Sequence, residues 1–241
     1  MPQPTQKHLR KFHAKSQIIT APGGEVPSVW HKKHMSTACK YLDINAKEQI
    51  YRNRIKLFRD DPNCSDEELY STIMSWGRIS RFNVKHCKPN FTLLQPLLSS
   101  MRAGRETRKT AYDKYLLLKS HGGIGKLGAS YFTKLLYFFR PENDGYILDQ
   151  FSGMAINVIF DLKIVRLAPG NDGFFVSKDT TSDEYVNYCK YVELLASEVN
   201  DNGEHVEVRL FSYGPKNEWR DYVGKAWRNN RSKMPNAPML P

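Results

Sequence analysis

The stretch from Gly122 to Asn157 reads GGIGKLGASYFTKLLYFFRPENDGYILDQFSGMAIN. It opens on a glycine-rich bend and continues into an apolar run, Tyr131, Phe132, Leu135, Leu136, Phe138 and Phe139. Apolar groups surround nearly the whole of that helical projection, which predicts burial inside a larger helical core. Pro141 to Gly145 reads as a loop, and Ile147-Leu148-Asp149 leads into a further apolar segment ending near Phe160. Glycines allow close backbone approach to a ligand and tolerate positive φ. The amides that open the next helix, at Gly128-Ala129-Ser130, favour an anion such as phosphate. The plain alternative is a glycine-rich connection between two packed helices. Asp149 stands where an acidic side chain caps a helix start.

Helical spacing extends on both sides. Upstream, Tyr51, Ile55 and Phe58 share a face, as do Leu69, Ile73 and Trp76, then Leu94, Leu97, Leu98 and Met101, then Ala111, Tyr115 and Leu118. Ser65 with Glu68 and Thr181 with Glu184 have the S/T-x-x-E spacing of a capping box. Downstream, Tyr185, Cys189, Val192, Ala196 and Val199 form one face, with Cys189 read as a small core residue. Val206, Leu210 and Phe211 suggest one more short helix. Asn171-Asp172-Gly173, between Ile164-Val165 and Phe174-Phe175-Val176, suggests a short hairpin. The fold expected is mostly α. Residues 1–44 read as a basic, extended arm, 45–213 as the helical domain, and 214–241 as a basic, aromatic tail with a frayed Pro-rich end. His31, His34 and Cys39 lack a fourth ligand at any usual zinc spacing and are read as solvated polar residues.

The 36 Lys and Arg against 25 Asp and Glu give a formal net charge of +11. The pI near 9.4 is in the range of nucleic-acid binders. Arg102, Arg105, Arg108, Lys109, Lys114, Lys119, Lys126, Lys134 and Arg140 are expected around the bend, with only Glu106 and Asp113 as acidic neighbours. Such a field suits a DNA backbone and weakens with salt. No run of about 18 apolar residues is present, so no membrane partner is expected. The N-terminus has no apolar stretch of a secretory signal. The scattered Cys39, Cys64, Cys87 and Cys189 form no C-x-x-C pair. A reduced, cytoplasmic, nucleoid-associated monomer acting on double-stranded DNA is the expectation, without a resident metal or organic cofactor.

Helix, G-x-G bend, helix, short loop and apolar-apolar-Asp together resemble the helix-hairpin-helix DNA glycosylases. S-Y-F-T-K-L-L-Y-F-F followed by Y-I-L-D, with Trp76-Gly77-Arg78 and Glu207-x-x-Leu210-Phe211, is similar to their 8-oxoguanine-glycosylase-like prokaryotic branch. The resemblance spans about Ala46 to Phe211 and implies a two-lobed helical fold. It also implies base excision, in repair or in defence against phages with modified DNA. In that family Gly123, Gly125 and Gly128, with Lys126, Ser130 and Arg78, would contact DNA, and a monovalent cation often sits at the hairpin. Asp149 would stabilise the cationic sugar or orient water. Bifunctional members carry a lysine where Ser130 stands. Lys134 shares a face with Ser130 one turn later. It is open to a role as Schiff-base nucleophile or as a phosphate or salt-bridge partner. An everted base needs aromatic walls; Trp76, Tyr131, Phe132 and Phe211 are candidates, although each equally suits core packing. The alternatives are a non-enzymatic helix-hairpin-helix DNA clamp and an RNA binder.

Overall fold

The computed structural model describes residues 1–18, 23–35, 37–79, 83–142, 144–170, 173–212 and 217–241. Its helices and strands run α1 (Gln6–Lys15), α2 (Pro27–His34), α3 (Lys40–Asn45), α4 (Arg52–Asp60), α5 (Asp66–Trp76), α6 (Cys87–Arg102), α7 (Arg108–Ser120), α8 (Ala129–Phe139), α9 (Gln150–Phe160), β1 (Leu167–Gly170), β2 (Gly173–Val176), α10 (Ser182–Glu198), α11 (Gly203–Phe211) and α12 (Glu218–Asn230). The mostly helical class expected from the sequence is the one found. The chain divides into two compact units: Thr20–Gly145 forms a middle unit, and Met1–Ile19 with Tyr146–Pro241 forms a terminal unit.

In the middle unit α5 and α6 pack on α8, whose Phe132, Leu135, Leu136, Phe138 and Phe139 are all buried. Tyr115 of α7 lies flat on Phe132 with ring centroids 4.0 Å apart. Ser65 caps α5 in a complete box with Glu68, as its spacing predicts. In the terminal unit α9 is the central helix, packed by α1, α11 and α12. Its far end is tied down by Asn157, which is fully buried. Asn157 Oδ1 accepts from the backbone N–H groups of Ile164 and Val165, each at 2.9 Å, and Nδ2 donates to Val165 O at 2.8 Å. Thr181 completes its box with Glu184, and Cys189 is buried.

Several expectations are corrected. Residues 1–44 are not an extended arm but contain α1, α2 and α3. Phe12 of α1 is fully buried against Trp219 of α12, and His8 Nδ1 lies 2.6 Å from Tyr222 Oη. These helices are short and carry few apolar residues, so their order comes from tertiary contacts that local periodicity does not reveal. The C-terminal segment is not a frayed tail either. Trp219 is fully buried, the Lys163 N–H donates to Pro235 O at 2.8 Å, and the Leu240 N–H donates to Asn187 Oδ1 at 2.9 Å. The hairpin exists, but its first strand begins at Leu167. Ile164 and Val165 are instead buried beside Asn157. The expected turn residues Asn171 and Asp172 lie outside the described residues.

His31, read as solvated, is buried, with Nδ1 2.8 Å from Ser71 Oγ and Nε2 2.9 Å from Thr37 Oγ1. Cys39 is likewise buried. No cluster of metal-ligating side chains occurs among the described residues. Replacing Asn157→Ala leaves two buried N–H groups and a carbonyl without their partner. We expect a loss of about 2–4 kcal/mol in urea unfolding, whereas an exposed substitution such as Lys178→Ala shifts the midpoint little.

Candidate functional site

The bend between α7 and α8 is fixed from beneath by side chains far away in sequence. Asn90 of α6, only 2% exposed, donates from Nδ2 to Gly125 O at 2.8 Å and accepts from the Gly125 N–H at 2.9 Å. This reciprocal pair imitates a strand pairing with one residue. Tyr115 Oη donates to Leu127 O at 2.6 Å. A Cβ on Gly125 would lie 2.7 Å from His86 Nδ1, so close approach, not positive φ, requires glycine there. Within the bend positive φ falls on Gly122 at +72° and on Lys126 at +54°. Gly128 stands at the cap position of α8 and no side chain caps that helix. Among the described residues the Ala129 and Ser130 amides that open it have no acceptor, while the Tyr131 N–H donates to Gly128 O at 3.1 Å. Gly123, Lys126 and Gly128 are exposed, and Gly125 is half-buried.

Around α8 the middle unit gathers several predicted residues. Lys134 Nζ donates to Ser130 O and Ser130 Oγ, both at 3.2 Å, and lies 5.2 Å from the Tyr131 ring centroid. Its methylenes run along Gly77, where a Cβ would be 3.1 Å from Lys134 Cδ. Tyr131 Oη donates to Arg78 O at 3.3 Å. Arg78 is exposed and has a φ of +53°. Trp76 ends α5, edge-on to Phe138 at 5.2 Å, and its indole N–H has no partner among the described residues. Phe132 is fully buried core.

The expected ring of free basic charge is only partly present. Arg102 pairs with Asp66 at 2.9 Å and donates to the carbonyls of Arg59, Cys64 and Asp61. It closes off the end of α4. Arg140 is buried, donates to Glu106 O and pairs with Glu142 and Asp144. Lys114 pairs with Glu106 at 2.5 Å, and Arg108 donates to Asp144 O at 2.6 Å. These groups hold loops, so Arg102 and Arg140 are withdrawn from the candidate interface. Lys126 and Arg105 remain exposed.

In the terminal unit, Asp149 caps α9. Its Oδ1 accepts from the N–H groups of Phe151 at 2.8 Å and Ser152 at 2.9 Å, while Ser152 Oγ accepts from the Asp149 N–H at 3.0 Å. Asp149 Oδ2 makes no hydrogen bond among the described residues, although the side chain is 7% exposed. Buried Tyr188 donates to Ile147 O at 3.0 Å. Desolvation first, then the charge of Glu207, holds its hydroxyl protonated well beyond the usual tyrosine range. Phe211 is 40% exposed and faces Phe151 edge-on at 6.2 Å. The Arg220 guanidinium stacks 3.7 Å from the Phe151 centroid and 4.5 Å from that of Phe211. Thus Trp76 and Tyr131 belong to the middle unit and Phe211 to the terminal unit.

Asn90 and Arg220 are the residues missed by sequence reading. Asn90 lies 35 positions from its partner glycine, with no local pattern to mark it. A protein-family model described as "Putative 8-oxoguanine DNA glycosylase OGG-like protein" matches residues 24–211. That match includes the bend and Asp149. No curated protein and no solved structure matches the chain. No helix among the described residues is long and apolar enough to cross a membrane. Asn90→Ala removes both bonds to Gly125. Amide hydrogen exchange at Gly125 should then quicken by about tenfold, since about 1 kcal/mol or more of local closure is lost, while the α10 amides keep their rates.

Proposed function

The chain belongs to the OGG-like family whose model matches residues 24–211, and from that premise we propose that it excises a modified base from DNA by hydrolysing the N-glycosidic bond. In this reading the bend and the uncapped start of α8 form a helix-hairpin-helix grip on a phosphate, aided by Lys126. The target nucleotide is everted. As the bond from the sugar to the base breaks, its electron pair leaves with the base and positive charge spreads over the sugar. Asp149 stabilises that charge or orients the water that adds to the sugar.

The observation that carries the reading is the division of labour in one carboxylate. Asp149 Oδ1 is engaged by the α9 amides, and Oδ2 has no protein donor among the described residues. Capping and chemistry therefore do not compete for the same oxygen. The surroundings of Lys134 support a monofunctional enzyme. The ammonium is held by two Ser130 acceptors and a tyrosine face, contacts that an attack on the sugar would have to break. The hairpin carbonyls of Gly125 and Leu127 accept from Asn90 and Tyr115.

Asp149→Asn keeps a competent helix cap. It should lower release of the modified base by at least about 10²–10³-fold, with duplex binding retained. Mass spectrometry of bases released from an 8-oxoguanine duplex, and from phage DNA with modified bases, measures this. Excision by the variant at the wild-type rate would sink the assignment. Salt-sensitive binding with no abasic product on any substrate would favour a clamp, and preference for duplex RNA an RNA binder. Borohydride added during turnover should trap no covalent adduct; an adduct lost in Lys134→Ala would reinstate the lyase step.

A further inference from the structure

The helices α1 and α12 lie outside the residues matched by the family, 24–211. They are joined to each other by Phe12 against Trp219 and by an ion pair of Lys15 with Glu218 at 2.5 Å. Where α12 meets α9 and β2, a cavity of about 640 Å³ remains. That volume lies within the ordinary range of small-molecule sites, roughly 300–1,000 Å³. Its aromatic walls come from Phe151, Phe174 and Trp227, and its polar rim includes Arg220, Arg228 and Asp221.

Gly224 lies inside α12 and lines the cavity. A Cβ there would meet only the Arg228 guanidinium, at 3.6 Å, an ordinary contact. Glycine inside a helix costs about 1 kcal/mol relative to alanine. Here that cost is incurred although a side chain would fit, and the result is open space. Trp227 is 4% exposed, and its indole N–H finds no acceptor among the described residues. Buried donors are rarely left so without a role. Arg220 is held rigidly between Phe151 and Phe211 and donates to Phe211 O at 3.0 and 2.8 Å.

We propose that this cavity binds a nucleotide, with the base against Phe174 and the phosphate at Arg228. Aromatic faces stack any base, and an exposed arginine takes the phosphate. Asp221 offers an acceptor to an exocyclic amine. A free nucleotide and an unpaired nucleotide within a strand share this chemistry. The site does not depend on excision by Asp149, and Asp149→Asn leaves it intact.

The test titrates the full chain, by calorimetry, with AMP, adenosine, a DNA duplex carrying one unpaired adenine, and the same duplex fully paired. Gly224→Phe fills the space. It should weaken AMP or the bulged duplex by at least about tenfold, with the fully paired duplex and the melting temperature unchanged. Arg228→Ala, at an exposed position, should reduce AMP to the affinity of adenosine, or remove the advantage of the bulged duplex, and it carries the test alone if Gly224→Phe fails to fold. Binding of AMP identifies a free nucleotide as the ligand; binding of the bulge alone identifies a strand nucleotide. If neither ligand binds, or if neither substitution changes the binding, the proposal is overturned.

Discussion

Every helix start presents amides that must find acceptors, and the two helices flanking the 140s meet that demand in opposite ways. α8 begins at a glycine and supplies no side-chain acceptor of its own. α9 begins at an aspartate whose Oδ1 takes two amides at once. The first arrangement leaves a partial positive charge for an outside anion, and the second brings a carboxylate to a helix start that favours negative charge. A phosphate grip and a sugar-facing acid call for these two arrangements. Each is obtained from backbone geometry already needed to begin a helix.

An open helix start is useful only if the bend before it keeps its shape. Glycines alone would make that bend loose, because they have the largest conformational freedom to lose. Asn90 and Tyr115 remove that looseness by binding the carbonyls of Gly125 and Leu127 and the amide of Gly125. Both side chains are buried, so their bonds form away from competing water. Tyr115 also stacks on Phe132, which couples the bend to the first turn of α8. The rigidity of the bend thus derives from the core of the middle unit.

What was legible in the sequence was local. The boxes at Ser65 and Thr181, the Asp149 cap and the α8 core depend on residues within a turn or two, and their spacing carries the information. The Asn90 pairing, 35 residues apart, and the His8–Tyr222 contact, 214 apart, leave no periodic trace. The terminal helices were missed for the same reason: α1 buries little besides Leu9 and Phe12, and its stability comes from α9 and α12. Charge was legible as a total but not as a distribution. Arg102 and Arg140 count toward the net charge, yet they are used to satisfy carbonyls and carboxylates inside the fold.

That last distinction bears on how such a protein grips nucleic acid. Salt sensitivity scales with the cations that reach phosphates, not with the formal charge. With Arg102, Arg140 and Lys114 engaged by the protein itself, the grip proposed at the bend would rely on Lys126, Arg105 and backbone amides. Backbone amides bind through fixed dipoles and release no condensed counterion in proportion to a full charge. A bend that binds through backbone amides would hold a phosphate by geometry more than by net attraction. Positional precision of that kind is what fixing a reacting strand in place requires.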